Sequence, residues 1–64
     1  MLITDEVLCK IGKDCQAFRK CIGKTQKEVA TDTCYTVENV SRFERGLNNN
    51  AKILIWYILN GYMM

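Results

Sequence analysis

Residues 25–46 read TQKEVATDTCYTVENVSRFERG. The opening Thr25, Gln26, Lys27 and Glu28 have the pattern of a capping box, in which the Thr25 hydroxyl accepts from the Glu28 amide and the Glu28 carboxylate reaches back to the Thr25 amide. A helix is therefore predicted to start there, to carry Val29 and Ala30 inward, and to run to about Asp32 or Thr33. Thr36 is the next N-cap candidate. Behind it, residues 37–45 predict another helix, with Val37, Val40, Phe43 and Glu44 on one face and Glu38, Arg42 and Arg45 on the other. Gly46 suits the left-handed position that ends it.

Upstream, Thr4 is placed to cap a first helix, and Asp5 and Glu6 suit its positive N-terminal end. The apolar positions of this helix include Val7, Leu8, Ile11, Cys15, Phe18 and Ile22, of which the last four follow one face of a 3.6-residue period. Gly12 interrupts that face and weakens the prediction around residues 9–13, and Gly23 is placed to end the helix. Downstream, Asn48, Asn49 and Asn50 read as a loop, with Asn49 or Asn50 capping a last helix over about residues 50–60 and Gly61 closing it. The fold class is thus all-α: four helices in a single domain over residues 1–64, with a short C-terminal turn as a variant fifth element.

The chain has 64 residues, no His, no Pro and four Gly. Lack of His removes the commonest general base and the commonest transition-metal ligand, and so short a chain has little room for a deep pocket. An enzyme, a cofactor and a small-molecule ligand are not expected. Net charge is a mild +2, but residues 10–27 carry Lys10, Lys13, Arg19, Lys20, Lys24 and Lys27 against Asp14 alone. That stretch is either a phosphate-attracting surface or a solvated helix face. Cys9, Cys15, Cys21 and Cys34 have no CxxC or zinc-site spacing, so they read as reduced thiols without metal. The start, MLITDEVLC, lacks the pattern of a secretory signal, and the apolar run over residues 53–59 is too short to span a bilayer. A cytoplasmic protein without membrane association is expected.

Two short helices separated by about three residues, the second rich in outward polar groups, suggest a helix-turn-helix. Residues 25–46 resemble, without a gap, the helix-turn-helix of the lambdoid repressor and Cro family. The resemblance rests on Thr25-Gln26, Val29-Ala30, Thr36 and the ending Val40-Ser41-Arg42-Phe43-Glu44-Arg45-Gly46. Ile11-Gly12, Phe18-Arg19-Lys20 and Gly23 extend it upstream, so that it covers about residues 11–60. It implies a compact four-helix DNA-binding domain. The helix from Val37 would lie in the major groove, with Val37, Glu38, Asn39 and Arg42 at base-reading positions. Chemically, Arg42 suits guanine O6 and N7, Asn39 adenine, Glu38 cytosine N4 and Val37 a thymine methyl. Other roles stay open: Val37 in the core, Glu38 paired with Arg42 at i,i+4, Asn39 as a solvated first-turn residue.

By the same resemblance, Lys24, Gln26, Lys27, Thr36, Asn48, Asn49, Asn50 and Lys52 would approach the DNA backbone, orienting the protein without reading sequence. Arg19 and Glu44 match a structural ion pair linking the first helix to the reading helix. Cys34 and Tyr35 depart from the family, which usually has Gly and a mid-sized aliphatic there. In a left-handed turn, Cys34 would cost about 1–2 kcal/mol, and Tyr35 would repack the core or point outward. The last helix, AKILIWYIL, is apolar nearly all round. Trp56, Tyr57 and Leu59 are its candidate dimer contacts, because adjacent Trp56 and Tyr57 point about 100° apart. The expected function is a sequence-specific transcriptional regulator of phage, mobile-element or bacterial origin. It would bind a pseudo-palindromic operator on double-stranded DNA as a homodimer, in a bacterial cell or phage-infected host. The alternative is a protein-interaction module acting through the apolar last helix.

Overall fold

The computed structural model describes residues 4–62; Met1, Leu2 and Ile3, weighed above as part of a signal, lie outside the described residues. The Thr4 hydroxyl accepts the Val7 amide at 3.3 Å and starts α1 (Asp5–Cys21). The capping box forms as its spacing predicts: Thr25 Oγ1 accepts the Glu28 amide at 3.2 Å, and Glu28 accepts the Thr25 amide at 3.1 Å, opening α2 (Gln26–Thr33). The Thr36 hydroxyl accepts the Asn39 amide and opens α3 (Val37–Glu44). Asn50, not Asn49, caps α4 (Ala51–Leu59), its Oδ1 accepting the Lys52 and Ile53 amides. Among the described residues there is no strand and no fifth helix; residues 60–62 form a turn. None of these helices is long and apolar enough to cross a membrane.

One buried cluster draws on every helix: Cys15 from α1, Val29 and Ala30 from α2, Val40 and Phe43 from α3, and Ile53, Trp56 and Tyr57 from α4. Ile11, Phe18, Leu54 and Tyr62 pack against it. Val37 does not join the buried core with Val40 and Phe43; it stands at the open first position of α3, 44% exposed. Ile22 likewise falls past the last turn of α1 and lies at the surface.

Gly12 has a different meaning from the one its helix propensity gives. α1 runs unbroken through it, and a Cβ there would sit 2.5 Å from the Glu44 carbonyl oxygen and 2.7 Å from that of Phe43. The glycine is where α1 and the end of α3 meet backbone to backbone. Gly46 is constrained twice: its φ is 77°, and a Cβ would lie 2.6 Å from Cys9 Cα.

The turn between α2 and α3 is left-handed at Cys34, with φ 62° and ψ 28°. The Tyr35 amide then donates to the Ala30 carbonyl at 3.0 Å, closing the end of α2. The Tyr35 ring stays at the surface, where Lys52 Nζ lies 5.5 Å from its centroid.

Trp56 and Tyr57, expected to leave one aromatic at a dimer surface, are both buried. Adjacent residues do point in different directions, but α4 is held by more than one neighbour. Trp56 Nε1 donates to Asp32 Oδ2 of α2 at 2.9 Å, while Tyr57 bonds Glu44 of α3 and stacks on Phe43 with centroids 5.9 Å apart. The exposed large apolar residues of α4 are Ile55, Ile58 and Leu59, of which only Leu59 was among the expected contacts.

Candidate functional site

The side of α3 that faces the core is fixed by one carboxylate. Glu44 Oε2 accepts from Arg19 Nε at 2.8 Å and from the Tyr57 hydroxyl. Its Oε1 accepts from Arg19 Nη2 at 3.2 Å and from Gln26 Nε2 at 3.0 Å. A carboxylate offers about four lone-pair sites, and here each meets a donor. The donors come from α1, α2 and α4, so Glu44 joins all four helices. Arg19 also donates from Nη1 to the Lys24 carbonyl at 2.9 Å, which pins the link between α1 and α2.

Burial by itself would raise the Glu44 carboxyl, but the hydrogen bonds from Arg19, Tyr57 and Gln26 outweigh it and hold it below the ordinary carboxylate range. The bond to Glu44 holds the Arg19 guanidinium up. Burial, reinforced by the same carboxylate, pushes the Tyr57 phenol well above its usual value. Burial, then the charge of Glu44, pushes the Cys15 thiol up to about 12. A thiol held there is a protonated core group at neutral pH. All four cysteines are free, and among the described residues no group of three or more His, Cys, Asp or Glu is placed to hold a metal ion.

The opposite side of α3 is open. Glu38 and Arg42 are exposed there, Asn39 beside them is half-buried, and Val37 is exposed in the first turn, on the flank above Val40. Arg42 Nη2 donates to Glu38 Oε1 at 2.9 Å, so the i,i+4 pairing considered above is present. Arg45, exposed at the end of α3, adds a second guanidinium near this face.

The residues expected near a DNA backbone fall into two groups. Lys24 and Lys27 are exposed about the start of α2, with Lys24 Nζ 3.5 Å from Glu28 Oε2. Gln26 stands at the first position of α2 but turns its amide inward to Glu44. Nε2 carries two hydrogens, so one remains for a partner outside the protein. The Thr36 hydroxyl accepts within its own cap, and Asn48 Oδ1 accepts the Asn50 amide at 3.2 Å. Asn48 and Asn50 therefore build the loop and the α4 cap with their oxygens and keep their amide donors. Asn49 and Lys52 are exposed.

Sequence reasoning missed the links of Gln26 and Tyr57 to Glu44, and no local pattern signals them. Ile55 and Ile58 were hidden in an all-round apolar run, where periodicity carries no information. No protein-family model matches the chain, and no curated protein or solved structure matches it.

Proposed function

We propose that the protein is a sequence-specific DNA-binding transcriptional regulator, with α2 and α3 as a helix-turn-helix and α3 as the helix that enters the major groove. The observation that carries this reading is the two-sidedness of α3. Val40, Phe43 and Glu44 anchor one side, while Glu38 and Arg42 stand exposed on the other, with Asn39 beside them and Val37 exposed in the first turn. An isolated eight-residue helix is marginal in water, so its heavy anchoring holds the exposed groups in fixed register. They comprise a guanidinium, a carboxylate, a carboxamide and an apolar tip, the chemistry that distinguishes base edges. Lys24, Lys27, the free Gln26 hydrogen and the Asn48 to Lys52 donors would meet phosphates.

The second part of the reading is assembly. Two copies would pair across the α4 ridge of Ile55, Ile58 and Leu59, placing two α3 helices about 34 Å apart on successive major grooves of a pseudo-palindromic operator. Repression would follow by occlusion. The same ridge supports the second reading, an interaction module, because exposed apolar surface marks partner sites in general.

Selection of bound duplexes from a random library tests the first reading. A defined sequence should emerge, with affinity falling steeply as salt rises because neutralised phosphates release counterions. Binding no tighter than to random DNA, at low and physiological salt, would favour the interaction module. Sedimentation with a palindromic duplex tests assembly: two protein copies per duplex are expected, and one copy at saturation would rule the dimer out.

A further inference from the structure

Glu38 and Arg42 are exposed along 69% and 53% of their side chains, yet joined through Arg42 Nη2 and Glu38 Oε1 at 2.9 Å. That bond uses one guanidinium hydrogen and one carboxylate lone pair. The second Nη2 hydrogen, the Nη1 hydrogens and the remaining lone pairs of Glu38 are left for an outside partner. The pair therefore presents a donor and an acceptor side by side, 2.9 Å apart.

The major-groove edge of a G·C base pair is the complement of that arrangement. Guanine N7 and O6 accept, and cytosine N4–H donates. O6 and N4 are themselves joined by the base-pairing hydrogen bond, so they lie about 2.9 Å apart, the ordinary N–H···O length. The spacing of the protein pair matches the spacing of the base edge.

We propose that Glu38 and Arg42 read one G·C base pair as a joined unit. Arg42 donates to O6 and N7, Glu38 accepts from N4–H, and the ion pair between them stays closed. This deepens, and rests on, the DNA-reading role proposed above. It also removes a difficulty of that role, a lone carboxylate on a surface that meets phosphates. Held against the Arg42 guanidinium, Glu38 enters the groove as half of a neutral pair.

The pair also ranks the four base pairs. C·G in the same orientation sets the guanidinium against an amino group and the carboxylate against guanine O6, so both contacts are repulsive. A·T repeats the inner clash through adenine N6 and thymine O4, but adenine N7 still accepts from Arg42. T·A keeps the inner acceptor and donor, but it puts a methyl where Arg42 sought N7 and brings adenine N7 near Glu38. The expected order is G·C, then T·A, then A·T, with C·G last.

The test is sequence selection with the full chain and with Arg42→Ala and Glu38→Ala, each first checked for folding by thermal melting. Both side chains are exposed, so both variants should fold. In the wild type, one position per half-site should follow the order above. Both variants should lose preference at that same position, each by roughly 5- to 150-fold against C·G. Replacing that cytosine with 2-pyrimidinone, which lacks the amino group, should weaken the wild type and leave Glu38→Ala unchanged. Changes at two different positions would overturn joint reading and leave DNA recognition standing, with the two residues as independent readers. A wild type that selects no sequence would overturn both.

Discussion

Arg19–Glu44 and Arg42–Glu38 are both arginine–carboxylate pairs, with shortest N···O distances of 2.8 and 2.9 Å. They differ in everything around that contact. Arg19 and Glu44 are 7% and 3% exposed, come from α1 and α3, and carry further bonds to α2 and α4. Arg42 and Glu38 share one helix, lie in solvent, and keep unused donors and acceptors. The first arrangement is closed: every lone pair of Glu44 is taken, so it holds the fold and offers nothing to a ligand. The second is open, and an exposed pair is worth little to stability, typically about 0–1 kcal/mol. Both carboxylates lie on α3, one on each side. In a small helical protein the partners left unused, not the ion pair itself, separate a charge that holds the scaffold from one free to meet a ligand.

The largest effect should come from opening the closed pair. Glu44→Ala leaves Arg19 buried without its partner and should destabilise by about 3–5 kcal/mol. In a domain this small that consumes most of the margin. Urea denaturation followed by circular dichroism would measure it. A loss below about 1 kcal/mol would break the contrast between the pairs.

pH should act on the same pair from both ends. The Glu44 carboxyl is held down in the folded state, so its contribution is complete above the unfolded value near 4.3 and is lost as pH falls through the depressed folded value. The Tyr57 phenol is held up, so its contribution is complete below about 10 and is lost as pH rises beyond it. Melting temperature should be level around neutrality and fall at both extremes. In Tyr57→Phe the alkaline fall should be smaller.

That variant removes one of the donors to Glu44 and should cost about 1–3 kcal/mol, as for a buried acceptor left short of a partner. Cys34→Gly touches neither pair and should stabilise. A left-handed non-glycine residue costs about 1–2 kcal/mol, of which the extra unfolded-state freedom of glycine returns about 0.5–1. A net gain of about 0.5–1 kcal/mol is expected from thermal melting. The smallest effect should be that of Glu38→Ala on stability, within about 0.5 kcal/mol.

Much of the scaffold was legible because its signals are local. Caps at Thr4, Thr25 and Thr36 act across three residues, and the structure has each where the spacing puts it. The Asn50 cap left one residue of ambiguity. The left-handed turn at Cys34 came from resemblance, since a cysteine does not announce that conformation. What was not legible depends on neighbours distant in sequence. Gln26 meets Glu44 across 18 positions, Tyr57 meets Glu44 across 13, and Trp56 meets Asp32 across 24. Periodicity fixes directions relative to a helix's own axis, not which helix waits in each direction. For that reason one of Trp56 and Tyr57 was expected at the surface, and the propensity cost of Gly12 concealed a helix crossing. The exposed face of α3 was legible in its residue types, but not the closure of Glu38 on Arg42, which the sequence left as one of several roles.

Arg42→Ala most directly separates a closed side of α3 that holds the fold from an open side that is proposed to read DNA. Its stability and its affinities for the selected and random duplexes should be measured together with those of the wild type. Stability should be unchanged within about 0.5 kcal/mol, and the ratio of specific to random binding should fall by roughly tenfold or more. An unchanged ratio, or a variant that loses its fold along with its binding, would contradict that separation.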